Sequence, residues 1–129
     1  MATGFPAATG DVLSAAMYNG LTSFTVGAAN TADYTATIAD AYQTLELMNK
    51  ATAIAFKIPT NASVAFPIGT VITVLNIGAG TCTISAVTSG TTTVFSAGAV
   101  AAAPTLAQYK SAACIKTAAN TWYVVGAIA

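Results

Sequence analysis

Short runs of alternating apolar and polar residues, separated by Gly, Asn and Pro, dominate the chain after Leu21. These runs are rich in Val, Ile, Thr and aromatic side chains, a composition typical of β-strands. Residues 44–48 alternate, with Leu45 and Leu47 on one face of a strand and Glu46 on the other. The pattern predicts strands at Ser23–Val26, Thr35–Ile38, Thr44–Met48, Ile54–Ile58, Val71–Ile77, Thr81–Ala86, Thr92–Phe95, Ala112–Lys116 and Thr121–Val125.

Many short strands at about 8- to 12-residue spacing favour a β-sandwich or barrel. One short helix is predicted before them, because Asp11 is a suitable N-cap, Val12–Tyr18 supplies an apolar face and Asn19-Gly20 provides a left-handed stop. The sequence therefore predicts an all-β fold, a compact β-sandwich or jelly-roll-like barrel. We expect residues 1–33 to form an N-terminal arm with the short helix and first strand, and residues 34–129 to form the β-sandwich domain.

Charged side chains are scarce along the whole chain. It has 4 Lys, no Arg, 4 acidic residues and no His, so charged residues make up 6% of the 129 positions and the net charge is zero. A folded monomer of this size exposes about 6,300 Å², or about 800 Å² per charge. Such a surface is either hidden in an assembly, the interpretation that we favour, or solvated by Thr, Ser and Asn. Residues 71–75 are apolar on both faces, as in a strand covered on both sides.

The missing residue types exclude several kinds of chemistry. Without Arg there is no bidentate guanidinium for phosphate, and without a basic excess there is no electrostatic footprint for nucleic acid. Without His there is no imidazole base and no histidine-bound metal. The most apolar stretch, from Val64 to Ile77, is interrupted by Pro67 and Gly69 and does not reach the roughly 18 apolar residues of a membrane span. We therefore expect neither nucleic acid nor membrane as a partner.

The carboxylates are the main acid–base candidates. Asp33 and Asp40 flank a predicted strand, and Glu46 lies on the next one. Two carboxylates held about 5–10 Å apart can cleave a glycosidic bond, but no third polar group supports this pair. We therefore interpret Asp33 and Asp40 as turn residues that bond local backbone amides, and Glu46 as a solvent-facing strand residue.

A serine–lysine pair and a glycine-rich loop are the other catalytic candidates. Ser111 lies next to Lys110 and near Lys116, but adjacent strand residues point to opposite faces, and lysines at strand ends usually lie in solvent or protect an edge. The segment Gly78-Ala79-Gly80 lacks the third glycine, the helix and the lysine of a phosphate loop, so it is interpreted as a hairpin turn. The sequence predicts no catalytic residue, cofactor site or metal site, and hence a protein that is not an enzyme.

Two cysteines and two adjacent aromatic residues complete the set of candidates. The first six residues lack the charge and the apolar run of a signal peptide, so we expect a cytoplasmic protein with reduced thiols. Cys82 and Cys114 are then small buried or half-buried residues, with a disulfide left open. Trp122 and Tyr123 lie on opposite faces of a strand and are interpreted as core or interface anchors, with sugar stacking as the alternative.

Two parts of the chain resemble segments of tailed-bacteriophage virion proteins. Thr9–Ala16 resembles an opening segment of the form G-D-V-L-[ST]-A-A. Several segments between Thr37 and Gly126 are similar to a β-rich module of phage tail-fibre, head-fibre and capsid-decoration proteins. Their most specific part is P-x-N-x-S-V-A-F-P-I-G-T at Pro59–Thr70. The chain departs from that pattern at Ala97–Ala107, where Leu106 is the single counterpart of a G-G-x-x-x-L-x-G segment.

This resemblance implies a structural virion protein with no catalytic residues to transfer. The main expectation is a capsid decoration (cement) protein, a homotrimer that binds the major capsid protein and stabilises the shell, located on the outer capsid surface after assembly in the host cytoplasm. Met1–Leu21 would then be an arm that reaches the capsid or a neighbouring subunit. The alternative is a head-fibre or tail-fibre adhesin that binds a host-surface receptor, although the chain lacks long fibre-forming repeats.

Overall fold

The computed structural model describes Ala15 and residues 23–42, 44–96 and 103–128. The predicted helix lies outside the described residues apart from Ala15, which is helical. A 3₁₀ helix spans Ile38–Ala41. The strands are β1 Thr25–Val26, β2 Tyr34–Thr35, β3 Thr44–Met48, β4 Ile54–Ile58, β5 Val71–Asn76, β6 Cys82–Ala86, β7 Thr93–Phe95, β8 Thr105–Leu106, β9 Ser111–Ala118 and β10 Thr121–Gly126.

The strands form two sheets between which the chain alternates. The order is β1-β3-β5-β9-β10-β7 in the six-stranded sheet and β2-β4-β6-β8 in the four-stranded sheet. From β1 to β6, successive strands within each sheet are parallel neighbours. Leu45 pairs with Thr73 in one sheet and Ile54 with Cys82 in the other, and each partner lies 28 residues further along the chain. The chain therefore winds in stacked coils that each give one strand to each sheet.

The all-β prediction agrees with this arrangement at the level of two sheets. The barrel alternative is wrong for the described residues, because their strands form two open sheets. The bounds predicted for β3 and β4 are confirmed. The strand predicted at Thr35–Ile38 is wrong in its second half, because the Asp40 carboxylate accepts a hydrogen bond from the Thr37 N–H (2.8 Å) and caps the 3₁₀ helix. Strand β8 was not predicted. The boundary between residues 1–33 and 34–129 stays a prediction.

Both sheets contribute side chains to one hydrophobic core. Each long strand buries alternate residues, as the period of two requires. Trp122 is buried and meets the ring of Phe66 edge-on, with centroids 5.5 Å apart. Cys82 and Cys114 are free thiols and both are buried in this core, as predicted. Burial raises the pKa of Cys82 to about 11 and that of Cys114 to about 12.

The two corners of successive coils, residues 49–53 and 77–81, stack directly on each other. The Gly80 N–H donates a hydrogen bond to the Lys50 carbonyl (2.9 Å). A Cβ added at Gly80 would overlap the Thr52 carbonyl, so no side chain fits there. Glycine is therefore required by the close approach of two backbones.

The buried side chain of Asn76 holds the corner at residues 77–81 in place. Its buried side-chain amide donates to the carbonyls of Gly80 (2.8 Å) and Leu106 (2.9 Å), and its Oδ1 accepts from the Gly78 N–H (3.1 Å). A Cβ added at Gly78 would also lie 2.5 Å from the Lys50 carbonyl oxygen. The hairpin interpretation of residues 78–80 is wrong, because the strands on either side of them belong to different sheets.

Candidate functional site

Asp40 and Glu46 meet in a buried polar cluster. Asp40, in the 3₁₀ helix, accepts hydrogen bonds from the Tyr34 hydroxyl (2.7 Å) and the Thr37 N–H (2.8 Å). Glu46, on β3, accepts one from the Asn30 side-chain amide (2.9 Å). Both residues are buried, and Asp40 lies close enough to Glu46 to raise its pKa. The cluster thus brings together three neighbouring parts of the chain.

The pKa values of Glu46 and Tyr34 in this cluster are higher than those of solvent-exposed groups. Burial raises the pKa of Glu46 to about 7, the hydrogen bond with Asp40 adds to the rise, and the Asn30 amide opposes it. Burial and the bond to Asp40 raise the pKa of Tyr34 to about 12. The interpretation of Glu46 as a solvent-facing residue is wrong, because β3 turns Glu46 inward.

The geometry of the pair suits fold stability rather than glycosidic chemistry. A sugar-cleaving pair needs its carboxyl groups at least about 5 Å apart with the substrate between them. Asp40 and Glu46 are instead nearly inaccessible to solvent, so no substrate reaches the space between them. What the pair does is hold the 3₁₀ helix against β3.

Glu46 should make the stability of the protein depend on pH. The folded state binds the Glu46 proton more tightly than the unfolded state, whose pKa is near 4.5. This contribution is fully present below pH 4.5 and is lost as the pH rises through about 7. We expect the free energy of unfolding, measured in urea, to fall by up to about 3 kcal/mol across this window. Glu46→Gln, which copies the protonated acid, should remove the slope; an unchanged slope would contradict the assignment.

Asp33 lies apart from the cluster, on the edge of the four-stranded sheet. Its Oδ1 accepts a hydrogen bond from the Ala55 N–H (3.0 Å), and its Oδ2 lies 3.9 Å from Lys57 Nζ. Asp33 therefore bonds a backbone amide as predicted, but the amide belongs to β4 rather than to its own turn. The ion pair is solvent-exposed and contributes little to stability.

Lys116 is buried, only 2% exposed, in the middle of the six-stranded sheet. Its Nζ donates to Asn61 Oδ1 (2.7 Å) and to the Phe66 carbonyl (2.7 Å), and burial lowers its pKa. The prediction of a solvated lysine is wrong here, whereas Lys110 is exposed as predicted. Ser111 lies on the outer face of β9 and Lys116 on the inner face, so the two form no catalytic pair.

The P-x-N-x-S-V-A-F-P-I-G-T segment folds over Lys116. The Asn61 N–H donates to Asn120 Oδ1 (2.9 Å), and the Thr70 hydroxyl donates to the Pro67 carbonyl (2.6 Å). Lys116 also exchanges backbone hydrogen bonds with Gly69 and Thr70. The polar residues of this segment therefore fix the connection between β4 and β5 onto β9 and β10. The sequence carried a signal for this role, because alternation along β9 places Lys116 on the same face as buried Cys114.

An open groove of about 560 Å³ lies between the 3₁₀ helix and this segment. Hydroxyl and small apolar side chains line it, and none of them is charged: Thr35, Ala36, Thr37, Ile38, Ser63, Val64 and Ala65. The groove therefore offers weak polar contacts but no acid, base or metal ligand. Within the described residues, no group of three or more His, Cys, Asp or Glu side chains could hold a metal ion.

The outer face of the six-stranded sheet is apolar and carries no charged side chain. Register fixes three rows across the strands, which we call the outer sheet face: Val71–Ile115–Tyr123–Phe95, Val26–Leu45–Thr73–Ala113–Val125 and Leu47–Leu75–Ser111. Val26 is 58% exposed, Val125 50% and Tyr123 41%. At these positions the face is therefore open to solvent.

The outer face of the four-stranded sheet has the opposite character. Its rows are Thr35–Lys57–Ser85 and Ala55–Thr83–Thr105, which are mostly hydroxyl side chains with one charge. Such side chains hydrogen-bond to water, so this face can remain solvated. The two sides of the protein therefore differ sharply in polarity, although both derive from strands with the same alternation.

Exposed aromatic residues lie on the outer sheet face, at one loop and just before β1, where Phe24 is 56% exposed. Trp122 belongs to the core, as the core interpretation predicted, while Tyr123 points outward and stacks on Phe95 with ring centroids 4.8 Å apart. Tyr109, between β8 and β9, is 75% exposed and has a φ of +66°. That left-handed backbone is uncommon for a residue other than glycine and displays the ring at the protein surface.

Comparison with known proteins adds no relative: no family model, no curated protein and no solved structure matches the chain. None of the helical residues that the structure describes forms a helix long and apolar enough to cross a membrane.

Proposed function

We propose that the protein is a structural virion component of a tailed bacteriophage, a capsid decoration protein that binds the major capsid protein as a homotrimer. The observation that carries this proposal is the uncharged outer sheet face, which spans six strands and exposes Val26, Tyr123 and Val125 to solvent. Exposed apolar patches of this extent mark protein interaction sites. The scarcity of charge and the resemblance of residues 59–70 to phage virion modules point in the same direction.

The use of the buried polar groups supports a non-catalytic role. Asp40, Glu46, Lys116 and Asn76 are buried and hydrogen-bonded within the fold. None of them faces the groove beside the 3₁₀ helix. Since both sheets fill one core, we also propose that they pack as a sandwich.

A decoration protein stabilises its shell by mass action. A ligand that binds the assembled capsid and not the separate subunits lowers the free energy of the assembled state, without a chemical step or a cofactor. This role requires a rigid body with extensive contact surfaces. The stacked coils provide the rigid body, and the outer sheet face provides one such surface.

A head-fibre or tail-fibre adhesin is the second candidate, and Tyr109 favours it. An exposed ring on a left-handed backbone is a suitable contact for a sugar or protein receptor. The uncharged groove with its Thr and Ser hydroxyls could accept the same kind of ligand. A decoration protein needs neither feature.

Copy number in purified phage particles separates these candidates. We expect quantitative mass spectrometry to find the protein at the same order of abundance as the major capsid protein. A copy number far lower would move the protein to a vertex or the tail and favour the adhesin. Absence from the particle would contradict both proposals.

A further inference from the structure

We infer that the outer sheet face is the surface through which copies of this chain associate with one another. The inference rests on the proposed function and specifies the self-association surface that a homo-oligomeric decoration protein requires. The occupant is a second copy of the chain, for four reasons: residue pattern, area, charge and relief.

The residue pattern of the sheet is that of strands covered on both sides. In β5, Ile72 and Val74 face the core, while Val71 and Leu75 face outward. In β3, Leu45 and Leu47 also face outward. A strand with one solvated face normally alternates apolar and polar residues, whereas apolar residues on both faces are typical of strands buried on both sides. The described residues cover one side of this sheet and leave Val71 exposed on the other.

The outer sheet face is large enough for a stable interface. Six strands about 4.8 Å apart, most of them about six residues long at about 3.3 Å per residue, span roughly 500 Å² in projection. A specific interface buries at least about 500 Å² and typically about 800 Å² per partner. Side chains that protrude from the sheet raise the accessible area above the projected value. The face therefore reaches the size of an interface without any other surface.

The charge of the face selects a partner that is itself uncharged. A partner with Lys, Arg, Asp or Glu at the contact would bury those charges against Val, Leu and Ile, with no counter-ion on this side. A second copy brings the same uncharged side chains. The face is thus chemically complementary to itself.

The relief of the face suits this self-contact. Ala113 and Ser111 make the first half of the outer side of β9 low, between Thr73 and Leu75 on β5 and Val125 on β10, and the larger Ile115 ends this low stretch. The sheet therefore has a shallow trough flanked by two ridges. A ridge of one copy can enter the trough of another, which is the close packing that stable interfaces show.

Single lysine substitutions test this inference directly. Val125→Lys and Leu75→Lys each place a charge on the outer sheet face; Val125 is the safer change because it is 50% exposed. Thr83→Lys places the same charge on the outer face of the four-stranded sheet and is the matched control. Circular dichroism checks that each variant folds. Light scattering coupled to size exclusion gives the mass, and sedimentation gives the dissociation constant.

We expect the wild-type protein to have a mass that is a multiple of the 12.8 kDa chain. The two face variants should raise the dissociation constant at least about 100-fold, because each would bury an unpaired charge. Thr83→Lys should change it by no more than about threefold.

A monomeric wild-type protein would overturn the inference, even if it still coats particles, because the face would then belong to the capsid protein. Folded face variants that stay assembled would overturn the inference and leave the decoration role intact. Assembly that depends on the face, in a protein absent from particles, would support the inference and contradict the proposed function.

Discussion

Replacing Gly80 with alanine should cost at least about 3 kcal/mol of folding free energy. A Cβ at this position would overlap the Thr52 carbonyl in the stacked corner of residues 49–53. The Cβ is fixed to its own backbone and the carbonyl is part of the other, so no side-chain rotation can relieve the overlap. The same stacking uses the Gly80 N–H as donor to the Lys50 carbonyl (2.9 Å), so a shift of the corner also weakens that bond. Overpacking against a rigid neighbour costs about 1–3 kcal/mol or more, a large share of the 5–15 kcal/mol of a typical domain.

The matched control for this prediction is Gly90→Ala. A Cβ at Gly90 would have no atom within 4 Å. Alanine there should be neutral or stabilise by up to about 1 kcal/mol, because it restricts the unfolded chain. Urea unfolding of the two variants and the wild-type protein measures both effects. Equal stabilities for Gly80→Ala and Gly90→Ala would show that the corners do not stack as described.

The strands could be predicted from the sequence, but their partners could not. Alternation of side chains places Leu45 and Leu47 on one face of β3 whatever lies beside that strand. Sheet order is set instead by contacts between residues 28 positions apart, such as Ile54 with Cys82, and these leave no short-range pattern. The corner glycines were the available signal. They resemble a turn locally, and only the backbone stacked above them shows why glycine is required.

The buried charges show a second limit of the sequence. Glu46 and Lys116 were assigned to solvent because ionisable side chains are rarely fully buried. Alternation alone places Lys116 beside buried Cys114, so the pattern was available and the residue type outweighed it. For Glu46 the alternation likewise places it on the same face as the apolar Met48, but its partner Asn30 comes from another part of the chain and leaves no local pattern.

The outer sheet face could be predicted from the sequence more directly than the strand partners or the buried charges. Residues 71–75 are apolar on both faces of the strand except at Thr73. This pattern predicts a strand covered on both sides. The structure buries one side of this strand in the core and leaves Val71 exposed on the other. In the sequence, the scarcity of charged residues is a property of the whole chain. In the structure, this scarcity leaves the outer sheet face apolar, whereas the outer face of the four-stranded sheet exposes hydroxyl groups instead.

Lys116→Ala should destabilise the protein by about 3 kcal/mol. The substitution removes the donor from the buried Phe66 carbonyl, which costs about 1–3 kcal/mol when unpaired, and from the half-buried Asn61 Oδ1, which costs less. It also leaves a cavity where the lysine methylenes packed. Relief from holding a desolvated ammonium group offsets part of this loss, as the lowered pKa of Lys116 indicates. The two hydrogen bonds and the packing outweigh that relief.

Lys116→Met separates the two contributions. Methionine keeps most of the volume but donates no hydrogen bond, so only the unpaired acceptors should count, at about 1–2 kcal/mol. Lys110→Ala removes an exposed lysine from the same strand region and should stay within about 0.5 kcal/mol of the wild-type protein. Urea unfolding at pH 7 should therefore give the order alanine, methionine, then the surface control, from least to most stable.

A methionine variant as stable as the wild-type protein would mean that Lys116 acts only as a spacer. In that case the connection between β4 and β5 would be held by Asn120 and Phe66 without the ammonium group. The predicted order instead requires Lys116 to hold that connection through its two hydrogen bonds. Residues 59–70 would then owe their fixed conformation to one buried charge, in a chain that has only 8 charged residues.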